Sequence, residues 1–198
     1  MPGHYFDPQP AAASRPTEIE LALSDGTVRL HTDRGVFSSA QVDPGTVVLL
    51  RHSPPPPPDG HLLDLGCGYG PIAITLARRS PAATVWAVDV NERALGLVLE
   101  NAASLGFENV RPVTPDEVPG DVSFAGIWSN PPIRIGKPAL HTLLLRWLGR
   151  LAPDGKAWLV VHKHLGADSL TGWLGDQGLA VNRRSSKQGY RVLEVAPR

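Results

Sequence analysis

With a single cysteine, Cys67, the 198-residue chain cannot close a disulfide within itself, and a reducing compartment is the simplest setting for it. It has no run approaching the roughly 18 consecutive apolar residues of a membrane helix. Residues 1–20 carry prolines and acids where a secretory signal needs a basic start and an apolar core. These absences predict a cytoplasmic protein with no membrane partner. Net charge is also missing, with 19 Lys/Arg against 19 Asp/Glu, which argues against a general polyanion binder. No internal repeat is visible. His141, His162 and His164 lack ligand spacing to cysteine or acids, so no metal is expected.

What is present begins with a core. The chain is 42% hydrophobic, enough for one globular domain. The charges are unevenly distributed: residues 1–132 hold 8 basic and 15 acidic side chains, whereas residues 133–198 hold 11 and 4. A basic C-terminal third can form a footprint for nucleic acid even in a neutral chain, or it can be solvated surface whose charges mix in space.

Residues 1–58 read as an N-terminal extension, with a Pro/Ala-rich arm over 1–16. Ile19–Leu23 and Thr27–His31 alternate apolar with polar around Ser24-Asp25-Gly26, a β-hairpin pattern. Asp43-Pro44-Gly45-Thr46 opens a short helix through Val47–Leu50. Pro54–Pro58 is a polyproline run, read as a stiff connector in preference to an SH3-type ligand. Residues 59–198 then alternate strand and helix. Strands are expected at His61–Leu65, Thr84–Val88, Asn109–Val113, Phe124–Trp128, Ala157–Val161, Ala180–Arg184 and Tyr190–Val195. Helices are expected at Pro71–Arg79, Glu92–Leu105 and Ala139–Leu151, with one more starting at Ala167. Nearly continuous apolar strands separated by helices mean a parallel sheet covered on both faces. The five residues between the last two strands are too few for a parallel crossover, so those strands pair antiparallel. The result is an α/β, Rossmann-like sheet of seven strands, mostly parallel, with an antiparallel C-terminal strand.

Where the first strand ends, Asp64-Leu65-Gly66-Cys67-Gly68-Tyr69-Gly70 forms a glycine-rich turn. Ligands of open α/β sheets bind at the carboxyl ends of strands. A pyrophosphate would call for G-x-G-x-x-G; here the spacing is G-x-G-x-G, preceded by an acid. That suits S-adenosylmethionine (SAM), whose tail carries an ammonium group for Asp64 and no phosphate. Asp89 closes the second strand, about 20 residues on, where an acid accepts from ribose hydroxyls; Val90 and Asn91 follow it, and Asn91 suits helix capping. Asp116 and Glu117 follow the third strand; Asp116 is a candidate for the adenine amine. Cys67 reads as a packed residue, not a nucleophile.

Ser129-Asn130-Pro131-Pro132-Ile133 closes the fourth strand. The prolines fix the backbone and donate no amide hydrogen. The Asn130 side-chain oxygen and the Pro131 carbonyl can then converge on the hydrogens of a planar amine and aim its lone pair at a methyl donor.

These segments, together with His4-Tyr5-Phe6, Gly35-Val36-Phe37-Ser38, Asn130–Lys137 and Gly189-Tyr190-Arg191-Val192-Leu193, resemble the small-subunit ribosomal RNA guanine-N2 methyltransferases and their compact single-domain relatives. The resemblance implies SAM as methyl donor and a guanine exocyclic amine in RNA as acceptor. It implies that Asn130, Pro131, Pro132 and Ile133 meet the target, and that Phe37 and Ser38 lead to the cofactor pocket. Many members carry an aromatic where this chain has Ile133, so another ring, Trp128 or Tyr190, is a candidate to stack on the base. Arg134, Lys137, Lys163 and Arg191 are candidate phosphate contacts. The alternatives are methylation of a protein glutamine amide or an adenine amine, an NAD-dependent oxidoreductase, and a non-catalytic SAM- or RNA-binding module.

Overall fold

The computed structural model describes residues 12–198; the His4-Tyr5-Phe6 segment lies outside them. The first elements are an antiparallel hairpin of β1 (Thr17–Leu23) and β2 (Gly26–Thr32), turned by Ser24 and Asp25. Its alternating pattern buries Leu21, Leu23, Val28 and Leu30 and leaves their neighbours exposed. Helix α1 (Pro44–His52) follows, with proline in its first turn and Asp43 as N-cap. The Pro54–Pro58 run has no regular structure and is fastened where Ser80 Oγ donates to the Pro57 carbonyl at 2.7 Å.

The alternating segment is β3 (His61–Leu65), α2 (Pro71–Arg79), β4 (Thr84–Val88), α3 (Glu92–Ser104), β5 (Val110–Val113) and β6 (Phe124–Ser129). It continues through α4 (Lys137–Leu148), β7 (Leu151–His162), α5 (Ala167–Asp176), β8 (Ala180–Lys187) and β9 (Tyr190–Ala196). The sheet runs β5-β4-β3-β6-β7-β9-β8. β9 is antiparallel to both neighbours; the other pairings are parallel. This is the Rossmann-like architecture read from the sequence.

The central strands of the sheet feed two cores, because successive side chains point to opposite faces. Along β7, Trp158 and Val160 join a cluster with the hairpin, α1, α2 and α3, while Leu159 and Val161 join one with α4 and α5. Asn101 of α3, fully buried, stitches the hairpin to the sheet domain. Its Oδ1 accepts from His31 N at 2.7 Å, and its Nδ2 donates to the carbonyls of His31 and Tyr69, each at 2.9 Å.

Several boundaries differ from the sequence reading, among them the end of α4, which falls at Leu148 and not at Leu151, the residue that opens β7. α4 starts two residues earlier, since Pro138 fits its first turn after Gly136. β7 is longer, because its irregular start at Leu151 still pairs with Phe124. The final hairpin turns on only Gln188 and Gly189, both with positive φ (51° and 82°), not on five residues. Ser185, Ser186 and Lys187 belong to β8, an edge strand whose polar residues show no apolar alternation and whose pairing shifts register between Arg183 and Ser185.

Candidate active site

The strand order reverses direction between β3 and β6, and a crevice opens at such a point. Register makes the crevice specific. Leu65 pairs with Val88 on one side and with Ser129 on the other, so Gly66, Asp89 and Asn130 leave the sheet side by side. Ser129 Oγ donates to the Leu65 carbonyl at 2.7 Å, and Gly66 N and Cys67 N both donate to the Val88 carbonyl, at 2.8 and 3.0 Å. A cleft of about 760 Å³ lies over these ends. Its walls include Phe37, Ser38, Gly66, Gly68, Asp89, Val90 and Asn91 at one end, and Asn130 to Ile135, His162 and Tyr190 at the other.

Gly66 and Gly68 have φ of 75° and 53°, and a Cβ added to either would have no non-neighbouring atom within 4 Å. Their backbone therefore faces open cleft, which a ligand can approach closely. Asp89 Oδ2 accepts from Gly68 N at 2.9 Å and Oδ1 from Asn91 N at 3.0 Å. Burial raises its pKa, against these backbone donors. The carboxylate both shapes the turn and lines the cleft. Asn91 caps α3 by accepting from Ala94 N at 3.2 Å, and its Nδ2 donates to the Gly35 carbonyl at 2.9 Å. It thereby ties the Phe37–Ser38 loop to the end of β4. Phe37 is 40% exposed, Val90 41%, and both present apolar surface to the cleft.

Asp64 and Gly70 do not line the cleft, whereas Cys67 and Tyr69 line a small adjoining pocket together with Phe37, Ser38, Asp43, Gly66, Gly68 and Asn130. Asp64 is fully buried: Oδ2 accepts from Ala73 N at 2.8 Å in the first turn of α2, and Oδ1 is buried without a partner. Burial pushes its pKa up to about 8. A positive group bound close to the turn would oppose that shift and favour the ionised form. Burial drives the Cys67 thiol well above its ordinary range, as expected of a packed side chain. Gly70 caps α2 with φ 92°, its Cα against Val98.

The structure does not bring Asp116 into the cleft. Its side chain is 90% exposed and pairs with Arg146 Nη2 at 2.8 Å; the preceding Pro115 lines the cleft instead. Glu117 folds back onto Thr114.

Asn130 is held from behind. Its Nδ2 donates to Asp43 Oδ1 at 2.8 Å and to Thr46 Oγ1 at 3.1 Å. An ionised carboxylate only accepts, so the NH₂ end must face Asp43 and the amide oxygen is turned toward the cleft. Asp43 is fixed in turn by Gly45 N and Thr46 N at 2.8 and 3.1 Å. Pro132, at φ −74° and ψ 74°, centres an inverse γ-turn in which Ile133 N donates to the Pro131 carbonyl at 2.8 Å. That bond pins the Pro131 carbonyl and leaves it one further lone pair. Asp43 and Thr46, which the sequence reading did not place among the site residues, thus belong to the candidate site through their contacts with Asn130.

Of the candidate rings, Trp128 is excluded: it is 1% exposed and stacked on Trp158 with centroids 4.4 Å apart. Tyr190 lines the cleft. Arg191 is spent in an ion pair with Asp168. Among the described residues, no group of three or more His, Cys, Asp or Glu could hold a metal ion, and no helix is long and apolar enough to cross a membrane.

The chain is similar to the Bacillus subtilis (strain 168) uncharacterized protein YbxB, at 34% identity with 98% of each chain covered. It is also 34% identical over 184 residues to the ribosomal RNA small subunit methyltransferase C of Pseudomonas putida (strain GB-1), covering 89% of this chain and 53% of that one. The chain thus spans about half the length of the curated ribosomal RNA methyltransferases it matches. A solved structure of the T. thermophilus 16S rRNA N2 methyltransferase RsmC, in complex with AdoMet and guanosine, shares the fold. Its TM-score is 0.76 at 22% identity, over 96% of this chain and 52% of that one. The family model described as methyltransferase small domain matches residues 27–194, nearly every element that frames the cleft, and the chain belongs to that family.

Proposed function

We propose that this protein is a SAM-dependent methyltransferase whose acceptor is an exocyclic amine, guanine-N2 in ribosomal RNA. One observation carries the reading: the Asn130 amide oxygen, turned outward by Asp43, stands beside the pinned Pro131 carbonyl at the end of β6. Two fixed acceptors in one place suit a planar NH₂ group. By taking its hydrogens they hold the amine and aim its lone pair along the cleft. No covalent enzyme intermediate is needed; the catalysis is positioning and preorganised polarity.

The opposite end of the cleft fits the cofactor. Gly66 and Gly68 admit close approach, Asp89 offers its remaining lone pairs to ribose hydroxyls, and the apolar surfaces of Val90 and Pro115 suit an adenine ring. Asp64 lies beneath the turn, and a cationic tail bound above it would shift that buried carboxyl toward its ionised form. When bound, SAM supplies a methyl group on a sulfonium.

The relatives' names support RNA as the partner. So does Arg134, which lines the cleft, with Lys137 and Lys163 exposed on adjoining segments. Lys156, Arg184 and Arg191 are paired with Glu194 or Asp168, so the basic C-terminal third offers fewer contacts than its sequence charge suggests. The setting we infer is the cytoplasm.

The test is incubation with radiolabelled SAM and either stripped ribosomal RNA or whole ribosomal subunits, followed by a mass map of modified nucleotides with and without the gene. Label in N2-methylguanine is expected. Label confined to protein, or to adenine, would replace the acceptor; no transfer at all would remove the activity.

A further inference from the structure

We propose that Tyr190 is the residue on which the acceptor ring stacks, held for that purpose by His162 and by two glycines that clear space for the pair. The inference rests on the reading of Asn130 as the amine's holder and names the wall its planar ring would lie against.

Tyr190 opens β9 and lines the cleft together with Asn130 and Pro131. Its ring lies over Gly45 in the first turn of α1, so close that a Cβ on Gly45 would be 2.7 Å from Tyr190 Cε1. The absence of a side chain at Gly45 makes room for this ring. The same helix turn carries Asp43 and Thr46, which fix Asn130. Burial first, then the Asp43 charge, raise the Tyr190 phenol pKa, in keeping with this proximity. Ring and amine holder are thus referenced to one helix end.

His162, paired with Tyr190 across β7 and β9, meets it edge-on, with centroids 4.9 Å apart and planes at 82°. The imidazole in turn rests on Gly189, where a Cβ would be 2.7 Å from Nε2. Tyr190 is therefore braced on two sides while it remains half-buried. A braced aromatic loses little freedom on binding and offers a flat face to any base. The neighbouring wall is aliphatic: Ile133, Ile135, Leu143 and Leu165. Such side chains fill the space around a planar ring without fixing its plane.

Two measurements on the full chain test this. In the first, Tyr190→Leu and Tyr190→Phe are compared in methyl transfer to ribosomal RNA from cells lacking the gene, at saturating SAM. Tyr190→Phe should stay within about twofold of the parent. Tyr190→Leu should lose about 5- to 150-fold in kcat/KM, the equivalent of roughly 1–3 kcal/mol. Calorimetric affinity for S-adenosylhomocysteine should be unchanged in both. Full activity of Tyr190→Leu, equal loss in the two variants, or a parallel loss of cofactor affinity would each overturn the proposal.

The second needs no turnover. Protein labelled with ¹³C-tyrosine and saturated with S-adenosylhomocysteine is titrated with guanosine, adenosine and a glutamine peptide. A ring-current shift confined to Tyr190 on adding guanosine is expected. A Tyr190 shift with adenosine alone keeps the stacking wall and overturns the guanine assignment. A shift with none of the three, or with the peptide only, overturns the stacking role.

Discussion

Asn130 and Asp43 are 87 positions apart in the chain and 2.8 Å apart at the cleft, the amide donating to the carboxylate. This contact decides which end of the Asn130 side chain a substrate meets. Asp43→Ala should let the amide turn and present NH₂ to an incoming amine. Hydrogen bonds to charged groups are worth roughly 1.5–3 kcal/mol, so kcat should fall about 10- to 100-fold. Asp43→Asn, which keeps an acceptor and a good cap, should stay within a few-fold. Steady-state kinetics on both variants checks this, and equal activity of Asp43→Ala and the parent contradicts it.

Removing the amide itself is the harsher change. Asn130→Ala should lower kcat by about a hundredfold, the order seen when one preorganised polar group is lost from a reaction centre. Its affinity for S-adenosylhomocysteine, measured by calorimetry, should stay close to that of the parent. A variant that turns over normally would remove the proposed mechanism.

Asp89→Ala should act at the other end. The carboxylate holds Gly68 N and Asn91 N, so its loss slackens the glycine turn as well as removing an acceptor for the ribose. Cofactor affinity should weaken about 10- to 100-fold on the same scale of charged hydrogen bonds. Calorimetry that found less than a twofold change would separate Asp89 from the cofactor.

Asp64 makes stability depend on pH. Its carboxyl titrates at about 8 in the fold, against 3.8 ordinarily, because burial disfavours the charged form. The fold thus favours the protonated acid. That contribution is fully present below about pH 4 and is lost as the pH rises through about 8. Melting temperatures between pH 5 and 9 should fall more for the parent than for Asp64→Asn, which cannot ionise. Parallel profiles would show that Asp64 does not couple to folding in this window.

Asn101→Ala should uncouple the hairpin from the sheet domain. It strands the buried Tyr69 carbonyl and the part-buried His31 amide, and an unsatisfied buried group costs roughly 1–3 kcal/mol. The urea midpoint should drop by the corresponding amount with an unchanged slope. A midpoint within error of the parent would show that the stitch adds nothing.

The sheet was legible because β3, β4 and β6 are nearly unbroken apolar runs and the helices between them have a clear period. The glycine turn, Asp89 and Asn130 were legible because strand ends in such a sheet are where ligands sit. The Asp43–Asn130 contact was not: it joins residues remote in sequence, and Asp43 also has a sufficient local reason to exist as a helix cap. Asp116 looked like part of the site by its position after β5, yet its loop turns it outward to Arg146. β8 was read short because an edge strand needs no apolar alternation to stay paired.

The two outermost strands bear on behaviour at high concentration. A bare sheet edge is a template on which another chain can pair. Here β5 is four residues long and contains Pro112, which has no amide hydrogen to offer. At the far side β8 carries Arg183, Arg184 and Lys187 and is broken by its shift in register. Both margins resist an added strand, so the sheet ends within its own molecule and is poorly suited to seed fibrils.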